Sequence, residues 1–295
     1  MNSKSGIYPA PKVSVIVPVF ADWDRVPALL AALAAQSLQD FEVVLVDNAP
    51  EPDAAATLAI DLIRGVQVVH CSQPGSYVAR NAGAGQARGQ WLAFTDADCL
   101  PQPSWLMALV EALSRAGRSI IAGPVKIQPG PSPSRWEIFD TVRGIPQNVF
   151  IRHGYAATAN LALSRQLFTE LNGFDPTRLS GGDAAFCRHA RSRGVSLHFA
   201  PDAVVDHPAR TNRDQLVTKA RRIKGGQVAV GPLRRRVFWT FRSVVPPVRE
   251  MGAYLTSDHP WRWRMIACGV RLSLWQAELM ELGRLLVLHR PPERR

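Results

Sequence analysis

The sequence has only four cysteines in 295 residues, Cys71, Cys99, Cys187 and Cys268, with no Cys-x-x-Cys pair and no Cys/His cluster. That spacing argues against a zinc module or a disulfide scaffold. Reduced thiols in a cytosolic compartment fit it best. Long apolar runs are also missing: no window approaches the roughly 18 residues that a membrane span needs. The best stretch, Met265 to Leu288, is interrupted by Arg271, Glu278, Glu281 and Arg284, which would be costly in hydrocarbon. Met1 to Gly6 contains no apolar signal stretch. No glycine-rich loop follows the first apolar run, which leads into Pro18-Val19-Phe20. A dinucleotide-binding dehydrogenase would carry its glycine fingerprint there. Internal repeats and low-complexity tracts are absent as well.

What is present suffices for a core. Hydrophobic residues make up 46% and charged residues 20% of the chain, an ordinary globular balance. The net charge of +11 is uneven: residues 1–209 hold 17 basic and 18 acidic side chains, residues 210–295 hold 18 and 6. The C-terminal third therefore calls for an anionic partner, whether a membrane leaflet, a diphosphate or a nucleic acid.

Short β-branched runs alternate with helical spacing through the first hundred residues. Strands are expected at Val13 to Pro18, Glu42 to Asp47, Val66 to His70 and Gln90 to Thr95. Helices are expected at Arg25 to Gln36, Asp53 to Ile63 and Ser76 to Arg88. This alternation predicts an α/β fold, a mostly parallel sheet with right-handed crossovers and helices on its faces. Ligands of such sheets bind beyond the carboxyl ends of the strands, where Asp47 and Asp96 fall. Further along, strands are expected at Ser119 to Ile127 and Ala157 to Leu163, separated by the Pro-rich break of residues 129–133. Ser164 is placed to cap a helix. A helix is expected from Gly182 to Arg193, with short strands at Leu197 to Phe199 and Val204-Val205. From Asn212 the chain turns basic and amphipathic.

Asp96-Ala97-Asp98 is the most informative motif. Two carboxylates flanking one residue at a strand end can hold Mg²⁺ or Mn²⁺, and such a cation binds a diphosphate. The plainer alternative is an Asp-rich turn that caps a helix. Asp47, at the end of the second strand, can accept hydrogen bonds from a ribose or a uracil, or be a solvated turn residue. Arg80 and Asn81 sit on a helix of small residues, where Arg80 can serve a phosphate or the Asp pair. Otherwise that helix is simply packed, with one salt bridge. Asp183 follows two glycines at a helix start and can take a proton from a hydroxyl, or act as an ordinary cap. His207 can bind Mn²⁺ or a phosphate, or lie on the surface before a proline turn.

Together these pieces resemble the family 2 glycosyltransferases and their GT-A-type nucleotide-binding fold. The resemblance is carried, in order, by Val13 to Pro18, Val46-Asp47-Asn48, Ala79 to Gly83, Phe94 to Asp98, Ala159 to Ala162, Gly173-Phe174-Asp175 and Gly181-Gly182-Asp183. It implies an inverting transfer of a sugar from a nucleoside diphosphate, most simply a UDP-sugar, to a hydroxyl of a glycan or lipid-linked acceptor. It further implies Asp183 as catalytic base, Asp47 as a nucleoside contact and Asp96 as a ribose or metal contact; with Pro18, Arg80 and Asn81 these last two make the expected donor site. The metal falls to Asp98, Asp96 and His207. Many members have Glu-Asp where this chain has Gly182-Asp183, so the base role rests on Asp183 alone.

The expected division is a glycosyltransferase domain over residues 10–210, nucleotide-binding in 10–100 and acceptor-binding in 101–210, followed by a basic helical region over 211–295. In that region Phe238, Trp239, Phe241, Trp261, Trp263 and Trp275 lie among arginines and lysines. Such mixtures suit an anionic lipid surface; the alternative is that Trp261 to Leu288 packs on the catalytic domain. No nucleic-acid-binding motif is present. The expected location is the cytoplasmic face of the cell membrane, and the expected role is cell-surface polysaccharide or glycolipid synthesis. Competing readings are a sugar-1-phosphate nucleotidyltransferase, which would want a basic Gly-rich loop after the first strand, and a non-enzymatic sugar-nucleotide-binding protein.

Overall fold

The run Val13–Val19 forms the first strand (β1), buried along nearly its whole length, as a strand covered on both faces should be. In the computed structural model, which describes residues 10–56 and 65–292, it is followed by Val26–Ala34 (α1), Phe41–Asp47 (β2), Val66–His70 (β3), Ser76–Gln86 (α2), Trp91–Phe94 (β4) and Leu100–Pro101 (β5). Next come Trp105–Ala116 (α3), Ser119–Ala122 (β6), Val125–Gln128 (β7), Arg135–Arg143 (α4), Gln147–Arg152 (α5), Leu161–Ser164 (β8) and Arg165–Glu170 (α6). The last third contains Gly182–Ser192 (α7), Ser196–Phe199 (β9), Val205–Pro208 (β10), Arg213–Val228 (α8), Leu233–Val244 (α9), Val248–Leu255 (α10) and Trp261–Leu286 (α11).

Two compact units interleave along the chain. The first comprises Met1–Pro124, Gln147–Phe174 and Phe186–Val205; the second comprises Val125–Pro146, Asp175–Ala185 and Asp206–Arg295. The first unit is built on a seven-stranded sheet in the order β3-β2-β1-β4-β8-β6-β9. β1 pairs in parallel with β2 and β4, and β2 with β3. β8 runs antiparallel to both β4 and β6, and β9 is parallel to β6. The sheet is thus mostly parallel and flanked by helices, as the alternation predicts. α2 lies directly on β1 and β2 because Gly83 has no side chain: a Cβ there would stand 2.7 Å from Ile16 Cγ2 and 2.8 Å from Val46 Cγ2. Beneath it Phe94, Phe168, Phe174 and Phe186 pack ring against ring.

In the second unit α4, α8, α10 and α11 enclose a core of Ile138, Phe139, Leu216, Tyr254, Ala267 and Leu274. The charges that interrupt Met265 to Leu288 are internal partners here. Arg271 bridges Glu250 at 2.6 Å and Glu278 at 3.1 Å, Lys224 reaches Glu278 at 3.3 Å, and Arg284 holds the buried Glu281 at 2.6 Å. α11 is thus a packing element of its own unit. No helix among the described residues is long and apolar enough to cross a membrane.

Several elements differ from expectation. The single strand over Ser119 to Ile127 is two strands, β6 and β7, divided at Gly123-Pro124. The chain passes so close to Ala203 that a Cβ at position 123 would stand 2.0 Å from its carbonyl oxygen. Ala157 to Leu163 is not strand throughout, because Thr158–Asn160 forms a 3₁₀ turn before β8 begins. Asn160 fixes that turn: its amide donates to the Pro124 and Ala203 carbonyls and accepts from the Trp105 indole N–H at 2.9 Å. The expected helix over Asp53 to Ile63 lies mostly outside the described residues; only 53–56 fall within them, and 54–56 form a 3₁₀ turn. Ser164 caps α6, accepting from the Leu167 amide at 3.1 Å.

Candidate active site

Strand order locates the cleft. β2 lies on one side of β1 and β4 on the other, so the chain leaves these neighbours in opposite directions and the connections after β1 and β4 diverge. Open α/β sheets bind ligands at such a switch point. The register sets Val19 opposite Asp47, and Asp47 opposite His70, at the carboxyl edge.

The turn after β4 carries the D-x-D pair. Cys99 N donates to the Asp96 carbonyl at 3.1 Å and closes the turn. Thr95 Oγ1 donates to the Ala159 carbonyl at 3.0 Å and ties its start to the body of the unit. Ala97 and Cys99 are buried, whereas Asp96 and Asp98 remain partly exposed. A carboxylate oxygen of each aspartate and Cys99 Sγ all lie within 4.8 Å of one another. Burial, together with the two adjacent carboxylates, holds the Cys99 thiol well above its ordinary range. The neutral thiol is a poor ligand for a hard cation, so the usable donors here are the two carboxylates. Such an oxygen pair fits Mg²⁺ or Mn²⁺.

Two arginines face this pair. Arg80, buried on α2, bonds Asp96, which realises one of the two partners open to it. Its guanidinium also lies over the Tyr77 ring, 5.8 Å from the centroid. Arg25 sits 3.9 Å from Asp98 and 3.6 Å from Asp22. Desolvation, reinforced by the Asp98 charge, raises the Asp22 carboxyl above its ordinary value. Asp22 and Arg25 escaped the reading of the sequence. The signal was the charged run Asp22-Trp23-Asp24-Arg25 directly after the first strand, on the loop that borders the switch point.

The other donor-side residues are placed as follows. Asp47 is buried, and its carboxylate accepts from the Ala49 and Asp53 amides at 3.2 and 2.8 Å, with His70 Nδ1 at 3.4 Å. Asn48 donates to the Cys71 and Gln73 carbonyls and accepts from the Gly75 amide, fixing the loop into α2. Pro18 is opposite Val46 near the end of β1. Both ends of the Asn81 amide are engaged by the Phe174 backbone, at 2.7 and 2.9 Å; in this structure Asn81 secures the Gly173-Phe174 turn to α2. The remaining candidates belong to the second unit. Asp183 stands in the first turn of α7, where its carboxylate accepts from the Ala184 amide at 2.8 Å. His207 is buried on β10, its Nδ1 2.7 Å from the Pro208 carbonyl oxygen.

Comparison with known proteins gives the family and the fold. Residues 14–171 match the family described as Glycosyl transferase family 2. Glycosyltransferase AglE of Haloferax volcanii is 31% identical over 263 residues, spanning 84% of this chain and 85% of the relative. The succinoglycan biosynthesis protein ExoM of Rhizobium meliloti is 31% identical over 208 residues, 67% of each chain. Among solved structures, the mannosyltransferase PcManGT of Pyrobaculum calidifontis, in complex with GDP-Man and Mn²⁺, superposes with a TM-score of 0.58 at 18% identity, over 96% of this chain and 88% of that one. S. aureus TarS 1-349 in complex with UDP-GlcNAc gives 0.54 at 15% identity, over 93% and 73%.

Proposed function

The chain belongs to glycosyl transferase family 2, and from that premise we propose that it is a metal-dependent, inverting enzyme that transfers a sugar from a UDP-sugar to a hydroxyl of a glycan or lipid-linked acceptor. The observation that carries this reading is the Asp96/Asp98 pair at the β1/β4 switch point, with Arg80 on Asp96. Asp98 and Asp96 would hold Mg²⁺ or Mn²⁺, with His207 as a further ligand or a diphosphate contact. The bound cation supplies charge neutralisation to the diphosphate leaving group. Asp47, with Pro18, Arg80 and Asn81, forms the donor side. Asp183 takes the proton of the acceptor hydroxyl as its oxygen bonds the anomeric carbon. The bond from that carbon to the diphosphate oxygen breaks on the opposite face, so the anomeric configuration inverts.

The expected setting is cell-surface polysaccharide or glycolipid synthesis at the cytoplasmic face of the cell membrane, with the chain held peripherally by the excess positive charge of residues 210–295. Relatives named for succinoglycan biosynthesis support the polysaccharide side of this reading. Residues 10–210 are the transferase domain in this reading, and 211–295 the basic helical region.

The test is turnover of a panel of sugar nucleotides with Mn²⁺ and with EDTA, using the wild type and Asp98→Asn. The wild type should lose activity in EDTA, and the variant should lose most of it in Mn²⁺ at an unchanged melting temperature. Full activity in EDTA would sink the metal assignment. A bound donor should also raise the melting temperature by mass action, and only with the cation present.

A further inference from the structure

One face of α9 is apolar and turned outward. Leu233, Val237, Phe241 and Val244 follow at intervals of one helical turn, the spacing of a single face; all four are exposed, Leu233 to 71% and Phe241 to 70%. Phe238 beside them is 61% exposed. Past the Pro246-Pro247 break the exposed apolar surface continues through Val248 at the start of α10. Residues 233–249 carry five arginines, at 234, 235, 236, 242 and 249, and no acidic residue. The opposite face is anchored. Ser243 is buried and accepts from Lys224 Nζ at 2.8 Å, while its carbonyl accepts from the Trp275 indole at 2.9 Å. The orientation of α9 is thus set by its own unit, and the apolar face is left to solvent.

Monomeric proteins rarely expose a contiguous apolar strip of this kind without a use for it. We infer that α9 and the first turn of α10 form the membrane-docking element, lying in the plane of an anionic bilayer with Phe238 and Phe241 inserted and Arg234, Arg242 and Arg249 on lipid headgroups; Arg235 and Arg236 bond the Gly226, Val230 and Val228 carbonyls. The inference rests on the peripheral location proposed above and names the surface responsible. Charge selects the occupant. A second copy of the chain would bring Arg234, Arg242 and Arg249 against their own copies, whereas anionic headgroups complement them. The ring-bearing strip supplies an apolar contribution that salt does not screen.

Flotation of the full chain with vesicles of equal parts phosphatidylglycerol and phosphatidylcholine tests this, with pure phosphatidylcholine as the reference. The wild type should partition onto the anionic vesicles, less strongly at high salt but still measurably. F238S/F241S should lower the partition coefficient on the order of tenfold for each ring removed. R234E/R249E should abolish the preference for anionic lipid. Both variants should keep the wild-type melting temperature and turnover on a soluble acceptor. A wild type that never floats overturns the peripheral reading and this assignment with it. A wild type that floats while F238S/F241S floats equally well overturns this assignment alone and leaves the peripheral reading standing. A wild-type dimer by light scattering that F238S/F241S converts to a monomer, without change in flotation, would make the strip a self-association surface instead.

Discussion

At the scale of single residues, the proposed chemistry divides binding from proton transfer. Asp183 sits in the first turn of α7, and in the proposed reaction it takes the proton of the acceptor hydroxyl. Asp183→Asn should therefore keep donor affinity and lower kcat by about 10²–10⁴-fold, the usual effect of removing a positioned base. Isothermal titration of the donor beside steady-state kinetics separates the two quantities. Lost affinity at an unchanged kcat would reassign Asp183 to binding. Direct displacement also fixes the stereochemistry, and an NMR spectrum of the product that showed retained configuration would contradict it. Residue identity made the D-x-D pair, Asp47 and Arg80 legible in the sequence, because carboxylates and cations at strand and helix ends are written locally. Partnerships were not. Nothing in the order of letters shows that Asn81 bonds the Phe174 backbone 93 positions away, or that Arg25 turns to Asp98.

Elements transmit these positions. α2 carries Arg80 to Asp96, and its approach to the sheet depends on Gly83. Gly83→Ala would place a methyl within 3 Å of the buried Ile16 and Val46 methyl groups. Overpacking of this sort costs about 1–3 kcal/mol, which a denaturant midpoint reads directly. Because Arg80 rides on the same helix, kcat/KM should fall along with stability. An unchanged midpoint would mean that α2 is free to shift. The parallel strands were legible because β-branched runs bounded by turn residues form a local signal. One helix and one strand break show where such reading stopped. α4 follows a Pro-rich stretch that reads as loop, yet Ser134 and Glu137 form a reciprocal capping box, Glu137 N to Ser134 Oγ and Ser134 N to Glu137 Oε2. That Ser-x-x-Glu pattern was present in the sequence as a start signal. The break at Gly123-Pro124 was not visible in the same way, since it is imposed by the Ala203 carbonyl some 80 residues later.

For the whole molecule, the sequence showed a charge asymmetry but not how much of that charge is internal. Several acidic side chains in both units are held ionised by the fold, and this predicts how the protein meets acid. In the first unit Glu42 is buried. Burial alone would raise its carboxyl, but bonds from Ser14 Oγ and from the Arg88 amide and guanidinium outweigh it and hold the group below its ordinary 4.5. In the second unit burial likewise opposes Asp140, and the adjacent Arg210 and Lys219 charges, with the Arg210 amide, hold it below 3.8. A carboxylate whose folded pKa is depressed binds its proton more weakly in the native state than in the unfolded chain. Its stabilisation is complete above the unfolded value and is lost as pH falls through the folded one. Stability should therefore be flat down to roughly pH 5 and decline steadily below it, as both units begin to lose their ionised carboxylates. Urea midpoints measured from pH 7 to pH 3 trace the curve. Glu42→Gln should lower stability at pH 7, because it removes the charge while Arg88 remains, and its curve should converge on that of the wild type as pH falls below the Glu42 pKa. Parallel curves for the two proteins across the whole range would show that the Glu42 carboxylate is not what the native state holds ionised.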